Sequence, residues 1–475
     1  MRNWMKNLSD HYHKMRKENA EAKLMIVFDI DGTIIDMRFM ILSVLQAYDR
    51  KASTDFFGNL KLDDINVHEN EVESLLKQQQ IPAEKRKDII HWYLDQRWSQ
   101  TAILEAHRPF QGVLEVIRWF QIQINTFVGL NTGRPVTLKE DTLKSLNKLG
   151  EEFRVHFVDE LLQMNKSDWE VRVGDSKILG LQNFQKNGYK IIAFIDNEPA
   201  NLEAVSQAQI AENLLLLHAE TIFESKRRKD SAKIVSGKEY DLTELITERE
   251  LPKHIQFVWQ GVNTSANIER FLASDIRWAE LNVQADPFTD QVVLRHDDII
   301  KYPQRPGENL LSLDTSLKIL RGNQRSAKLD LKSGESLIDE ILRITQNHSF
   351  NESELWFNGN IERLGEEGFR KLSDARPSSI IQCPIDFLGP LIVGTPKKAK
   401  EILEMLREWG INRFSISWRT PSKGEIIAKL DAWGYEINIY NIPDLESFLQ
   451  AVLLLPHSIT SDFEFPKWYN LHLRD

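Results

Sequence analysis

The chain has 475 residues, 41% of them hydrophobic, with 22 Gly and 16 Pro; these proportions exclude a disordered or collagen-like protein and suit two domains if one is a large α/β barrel. Its 60 basic and 70 acidic residues leave a formal charge of −10, so no overall field favours nucleic acid or an anionic lipid surface. The single cysteine, Cys383, excludes an intrachain disulfide and thiolate-rich metal sites, and no run of about 18 apolar residues offers a membrane span.

Residues 1–23 are crowded with charged and histidine side chains, and the first apolar run, Leu24–Phe28, stops at Asp29. That pattern is not a signal peptide, and with a lone thiol it points to a reducing compartment, so the expected location is the cytoplasm. Further short apolar runs at 126–130, 191–195 and 214–217 are separated by stretches of helical periodicity, which predicts a parallel sheet covered by helices. Three runs end in polar clusters: Phe28-Asp29-Ile30-Asp31-Gly32-Thr33, Asn131-Thr132-Gly133-Arg134 and Asp196-Asn197-Glu198. Strand ends of an open parallel sheet form the edge where such folds bind ligands, so three strands deliver polar groups to one place. Between about 36 and 108 the chain reads as a mostly helical insertion.

The segment 224–253 changes character, from Lys226-Arg227-Arg228-Lys229-Asp230 into an acid-rich stretch before Pro252, and is expected to be a linker between domains at 1–223 and 254–475. Beyond it, strands are predicted near 255–259, 278–283, 291–294, 327–331, 355–357, 380–382, 413–417, 436–440 and 458–461, many of them alternating with helices. The length suits an eight-stranded α/β barrel. Residues two apart share a strand face, so Glu280 with Asn282, and Asp330 with Lys332, are placed to point inward near strand ends. Trp259, Trp356 and Trp418 are expected to be packing residues, and Cys383 buried filler.

The amino-terminal segments resemble the haloacid dehalogenase superfamily, whose fingerprint is DxDGT on the first strand, Ser or Thr ending the second, a lysine, and acids on the fourth. The resemblance implies a Rossmann-like sheet with a helical cap that favours small phosphorylated substrates. It implies Asp29 as the nucleophile that takes a phosphoryl group, and Asp31 as the acid that protonates the leaving oxygen and then activates water. Thr132 would bind phosphoryl oxygens, Lys177 would be the lysine, and Mg²⁺ would be held by Asp29, Asp31, Asp196 and Asn197, the last standing where many members have a second acid. The chemistry agrees, because a carboxylate attacks a phosphoryl group only when cations offset the repulsion between anions.

Residues 254–475 resemble the glycerophosphodiester phosphodiesterases on Gly261-Val262-Asn263-Thr264, Glu280-Leu281-Asn282-Val283, Arg295-His296-Asp297 and Leu329-Asp330-Leu331-Lys332. Leu355-Trp356-Phe357-Asn358-Gly359-Asn360 is closer to the related menorin family, and the two resemblances are not separable in sequence. Both imply a phospholipase C-like (β/α)8 barrel. By that likeness His296 matches one catalytic histidine, Lys332 a catalytic lysine and Glu280 a metal ligand, with Asn282 where Asp is usual and Asp330 where Glu is usual. Weak Mg²⁺ or Ca²⁺ binding is the expectation. Trp259-Gln260-Gly261 lacks the family's other histidine, so the barrel is either a slow diesterase or a module that binds a ligand or partner.

Overall fold

The computed structural model describes residues 3–166, 173–221, 234–247, 250–289, 291–305, 307–334 and 337–465. They form two compact units, Met1–Ile246 and Thr247–Asp475.

In the first unit, β1 (Leu24–Phe28), β2 (Thr126–Pro135), β3 (Leu162–Asn165), β4 (Lys190–Asp196), β5 (Leu215–Ala219) and β6 (Ile234–Gly237) pair in the order β3-β2-β1-β4-β5-β6, all parallel. This Rossmann-like order reverses direction between β1 and β4, the switch point where α/β sheets hold ligands. Every residue of β1 is buried, which explains why it reads as a continuous apolar run. A helix at Trp4–Glu18 packs on the same unit through Trp4, Met5, Leu8, Tyr12 and Met15, an apolar stripe hidden among charges in the sequence. The insertion is helical as expected, with helices at Met37–Ala52, Val72–Gln78, Ala83–Gln96 and Gln100–Glu105. Its neck is clamped by two backbone bonds, Asp36 N to Arg108 O and Phe110 N to Ile34 O, at 2.8 and 2.9 Å.

The expected linker needs correcting. Residues 222–233, which include its basic run, lie outside the described residues, but Ile234–Gly237 joins the sheet beside β5 and Leu242–Leu245 forms a short helix. Tyr240, Leu242, Leu245 and Ile246 are buried, so the first unit ends at Ile246 and not at 223. Four residues at an edge and one helical turn are too short to register as periodicity against a polar background.

The second unit is a closed barrel. β7 (Gln256–Trp259), β8 (Trp278–Ala285), β10 (Ser326–Leu331), β11 (Leu355–Asn358), β12 (Ile380–Pro384), β13 (Arg413–Ser417), β14 (Glu436–Tyr440) and β15 (Ser458–Ser461) are all parallel, and β15 closes on β7. The ninth strand, β9 (Val292–Leu294), pairs antiparallel with β8 outside the ring. Seven helical crossovers join the ring strands, which gives the (β/α)8 fold expected from the sequence. Trp259, Trp278 and Trp356 are buried packing residues, as is Cys383. Among the described residues no helix of either unit is long and apolar enough to cross a membrane.

Candidate active site

At the end of β1 the ladder continues one residue further, with Asp29 N donating to Ile195 O at 2.8 Å, so Asp29 is fixed beside the end of β4. Lys177, from the helix Val173–Lys186, is fully buried and donates to Asp29 Oδ1 and to Asn131 O, and its Nζ lies 3.1 Å from Asp196 Oδ2. Asn131 Nδ2 returns a bond to Lys177 O at 2.8 Å. A Cβ at Gly180 would lie 2.5 Å from Asn131 Oδ1, so only glycine lets the helix come this close. Asp196 is held by Glu198 N at 2.8 Å and by Asn201 Nδ2 at 3.2 and 3.1 Å. Gly32 has φ +76, and a Cβ there would lie 2.3 Å from Asn197 Nδ2, which explains the glycine in the first motif and places Asn197 against that turn.

Burial pushes the Asp29 carboxyl up to about 8, against the pull of Lys177 and reinforced by repulsion from Asp196 and Asp31. For Lys177, burial works against the charge, but Asp196 and Asp29 outweigh it and raise its value. Two carboxylates thus converge on one ammonium in a water-poor site.

Asp31 is disposed differently. Arg134 grips it with a two-pronged pair, Nε to Oδ2 at 2.8 Å and Nη2 to Oδ1 at 2.5 Å. Burial alone would raise the Asp31 carboxyl, but the Arg134 charge and hydrogen bonds override it and hold the value below the usual range. Arg134 is 1% exposed; it also donates to Thr142 Oγ1 at 3.0 Å and sits 4.9 Å from the Trp98 ring. His107 is pushed down to about 3 by burial and by Arg134, so it stays neutral. Thr132, 1% exposed, accepts from Arg134 N at 3.2 Å, which leaves its hydroxyl proton to be donated elsewhere.

Of the four residues expected to hold Mg²⁺, the structure brings together Asp29 and Asp196, whereas the Asp31 carboxylate is taken by Arg134. No group of three or more acidic, His or Cys side chains suited to a metal is assembled among the described residues. Two buried carboxylates, with the Asn197 amide nearby and backbone oxygens at the strand ends, still form an all-oxygen donor set that fits a hard cation.

Sequence reasoning missed Arg134, although it stands in a quoted motif, and it missed the insertion's contribution. Glu69, pushed up to about 7 by burial, and His68, 3.3 Å from Glu198, bring the insertion to the sheet edge, and Trp98 backs Arg134.

The barrel has its own concavity of about 140 Å³ at the strands' carboxyl ends, lined by Gln260, Glu280, Asn282, His296, Asp330 and Lys332 among others. Glu280, Asn282, His296, Asp330 and Lys332, the site residues expected in the barrel, therefore line one cavity. Their pairing is different from that of a metal centre. Glu280 Oε2 lies 2.9 Å from the Nζ of Lys328, a buried lysine that sequence reasoning passed over. Lys328 is directly opposite Glu280 in the β8–β10 register and also donates to Thr460 Oγ1 at 3.0 Å. Asp330 Oδ2 lies 2.6 Å from Lys332 Nζ, and its Oδ1 accepts from Asn358 Nδ2 at 2.8 Å. Each carboxylate already has an ammonium partner, so the residues present do not fit the weak Mg²⁺ or Ca²⁺ site implied by the resemblance. His296 is 66% exposed and turned to Asp297 at 3.1 Å. Trp259 packs in an aromatic cluster with Phe271 and Phe463, so Gln260, not Trp259, is the member of its motif that lines the cavity.

No protein-family model and no curated protein matches the chain. Solved structures match the chain in part, and the three that follow each span under half of it. A glycerophosphodiester phosphodiesterase from Agrobacterium tumefaciens is 16% identical, with 46% of this chain and 98% of that one covered and a TM-score of 0.32. An Oleispira antarctica phosphodiesterase in complex with the product sn-glycerol-3-phosphate is 14% identical, with coverage of 46% and 94% and a TM-score of 0.35. A provisionally named phosphatase from Clostridium difficile is 12% identical, with coverage of 47% and 99% and a TM-score of 0.32.

Proposed function

We propose that the amino-terminal unit is a Mg²⁺-dependent phosphohydrolase that transfers a phosphoryl group from a small phosphomonoester to Asp29. The observation that carries this reading is the convergence of Asp29 and Asp196 on Lys177, beside an Asp31 held ionised by Arg134. Lys177 fixes Asp29 through Oδ1, so Oδ2, which has only a 3.4 Å contact with Thr33 Oγ1, is the atom set to attack phosphorus. The Thr132 hydroxyl donates to a phosphoryl oxygen. A cation bound by Asp29 and Asp196 would neutralise charge on the phosphoryl oxygens and would favour the ionised form of Asp29, which burial otherwise pushes up to about 8. Attack forms the Asp29 O–P bond and breaks the ester P–O bond, and the leaving oxygen takes a proton. Water then opens the acyl phosphate and gives its proton to Asp31, whose ionised state suits it to accept one. For Asp31 to protonate the leaving oxygen in the first half, its carboxylate must first take up a proton against the pull of Arg134. Asp29→Asn keeps the volume and removes the nucleophile; it should lower phosphomonoester turnover by at least about 10³-fold with the fold intact by circular dichroism. Turnover at the parent rate would sink the assignment.

The barrel is read as a binding module and not a second hydrolase. Gln260, not a histidine, lines the mouth beside His296, which is largely exposed and bonded to Asp297, and both carboxylates are neutralised by lysines. Hydrolysis of bis-aryl or glycerol phosphodiesters by the full chain, lost in His296→Ala, would overturn this.

A further inference from the structure

The ladder between β1 and β4 ends with the bond from Asp29 N to Ile195 O. Beyond it the chain enters two loops, the turn Asp31-Gly32-Thr33 and the segment Asn197-Glu198, and among the described residues no backbone bond joins one to the other. Both bear on the site. Thr33 Oγ1 lies 3.4 Å from Asp29 Oδ2, and Glu198 N holds Asp196 Oδ1 at 2.8 Å. The loops meet where the Asn197 side chain fills the space that a Cβ at Gly32 would need. Such packing stops them from closing but not from parting, so their separation depends on bonds from elsewhere.

Three side chains outside the sequence motifs supply those bonds. Tyr240 Oη donates to Thr33 O at 2.9 Å, and Thr221 Oγ1 donates to Gly32 O at 2.5 Å. His218 Nε2 donates to Asn197 O at 3.1 Å, the ring nitrogen being the donor because a carbonyl only accepts. Two adjacent carbonyls of the first loop and one of the second are thus each taken by a side-chain donor.

The donors share one base, the β5–β6 side of the sheet. His218 lies in β5 beside Asp196 of β4 and Ser236 of β6 in the register, and its Nδ1 is 3.2 Å from Ser236 Oγ. Thr221 stands just past the end of β5, and Tyr240 just past the end of β6. Tyr240 is buried, with its ring 4.9 Å from that of Trp4, and its backbone lies so close to Gly112 that a Cβ there would come within 2.3 Å of Tyr240 O. None of the three bonds joins strand to strand. Each runs from this edge to a loop that carries or orients a carboxylate of the site.

We propose that Tyr240, Thr221 and His218 are positioning residues of the phosphohydrolase site, holding the Asp31 turn and the Asn197 loop at one separation across the place where the phosphoryl group is taken. The inference rests on the phosphohydrolase reading of the amino-terminal unit and adds the groups that set its geometry. They act through backbone carbonyls and not on reacting atoms. A misplacement of about 1 Å at reacting groups costs about 10² in rate, so these bonds weigh on turnover more than on substrate affinity.

The test is hydrolysis of p-nitrophenyl phosphate and glycerol 2-phosphate by the full chain with Mg²⁺, well below the melting temperature, with orthovanadate as an inhibitor that imitates five-coordinate phosphorus. Tyr240→Phe and Thr221→Val each remove one donor and keep the shape of the side chain. Each should lower kcat about tenfold, leave KM within about twofold, and weaken inhibition by orthovanadate about as much as kcat/KM falls. Thr221→Ser keeps the hydroxyl and should stay within about twofold of the parent. A merely structural role would lower the melting temperature and leave kcat and orthovanadate inhibition at parental values; that result, or a loss in Thr221→Ser as large as in Thr221→Val, would overturn the proposal. Thr221→Val is isosteric at a half-buried position and decides alone if Tyr240→Phe does not fold. The two failures are distinct: no turnover by the parent, or turnover that Asp29→Asn leaves unchanged, refutes the phosphohydrolase reading and the inference with it, whereas parental kcat in the variants of an active, Asp29-dependent parent refutes the inference alone.

Discussion

At the sheet edge of the amino-terminal unit three carboxylates share two cations unevenly: Asp29 and Asp196 crowd on Lys177, while Asp31 has Arg134 to itself. Burial pushes Asp29 up to about 8, so the two carboxylates on Lys177 compete for one charge, and a cation bound there would restore the second. At the barrel mouth two carboxylates face two lysines in closed pairs and nothing is left over. Both sites lie at the carboxyl ends of parallel strands and both collect acids and amines, so residue type and position on the fold do not distinguish them. The pairing does. A shared ammonium leaves a reactive imbalance, and a matched one leaves a neutral polar wall.

The largest effect that would test this contrast concerns where the first unit ends. A fragment of residues 1–223 lacks β6, Tyr240 and the buried Leu242, Leu245 and Ile246, whose burial contributes about 1.5–3 kcal/mol each. It also loses the 2.9 Å bond from Tyr240 Oη to Thr33 O, in the turn that carries the first motif. Residues 1–246 should unfold cooperatively and keep phosphomonoesterase activity, and residues 1–223 should be insoluble or lack a thermal transition. Equal melting temperatures would refute the boundary.

Next is the private pair. Arg134→Gln removes the charge that holds Asp31 ionised, so the Asp31 value should rise and the limb of the kcat/KM profile that it governs should move to higher pH, with a loss of about 10² in rate. An unmoved limb would show that another group titrates.

A smaller effect comes from His107. Its folded-state value of about 3 is far below the ordinary 6.5, so between those limits the unfolded chain binds the proton and the folded chain does not. The His107 contribution therefore destabilises the fold progressively as pH falls from about 6.5 toward 3. His107→Asn should flatten that part of the melting-temperature profile of the 1–246 fragment, and an unchanged slope would assign it elsewhere.

The smallest effect is expected in the barrel. Gln260→His places an imidazole in the mouth, but with Glu280 and Asp330 still tied to lysines it should raise diesterase activity by less than about tenfold. A large gain would mean that the missing histidine alone had silenced the site, and that the lysine pairs are no obstacle.

Much of this architecture was legible before any coordinates. Apolar runs ended where strands end, which put Asp29, Thr132 and Asp196 at one edge, and the nine strands of the second half fell near their predicted places, as did the helical insertion. Short pieces failed to register: β3 is four residues of mixed polarity, and β6 lay inside a segment that read as linker. The helix Trp4–Glu18 was masked by its charged face.

Periodicity along a chain reports which residues face inward, because that depends on local geometry and on burial averaged over a few neighbours. It does not report which inward carboxylate meets which inward cation. Lys328, Asp330 and Lys332 alternate with apolar residues along one stretch of chain, and only the β8–β10 register sets Lys328, not Lys332, opposite Glu280. Arg134 reaches Asp31 across 103 residues of sequence, steadied by a tryptophan of the insertion. Such pairings depend on differences of an ångström between segments brought together from far apart, and electrostatic energy varies steeply at those distances. The residues available for chemistry were therefore written in the chain, and their ionisation and partners came from the packing of strands and insertion around them.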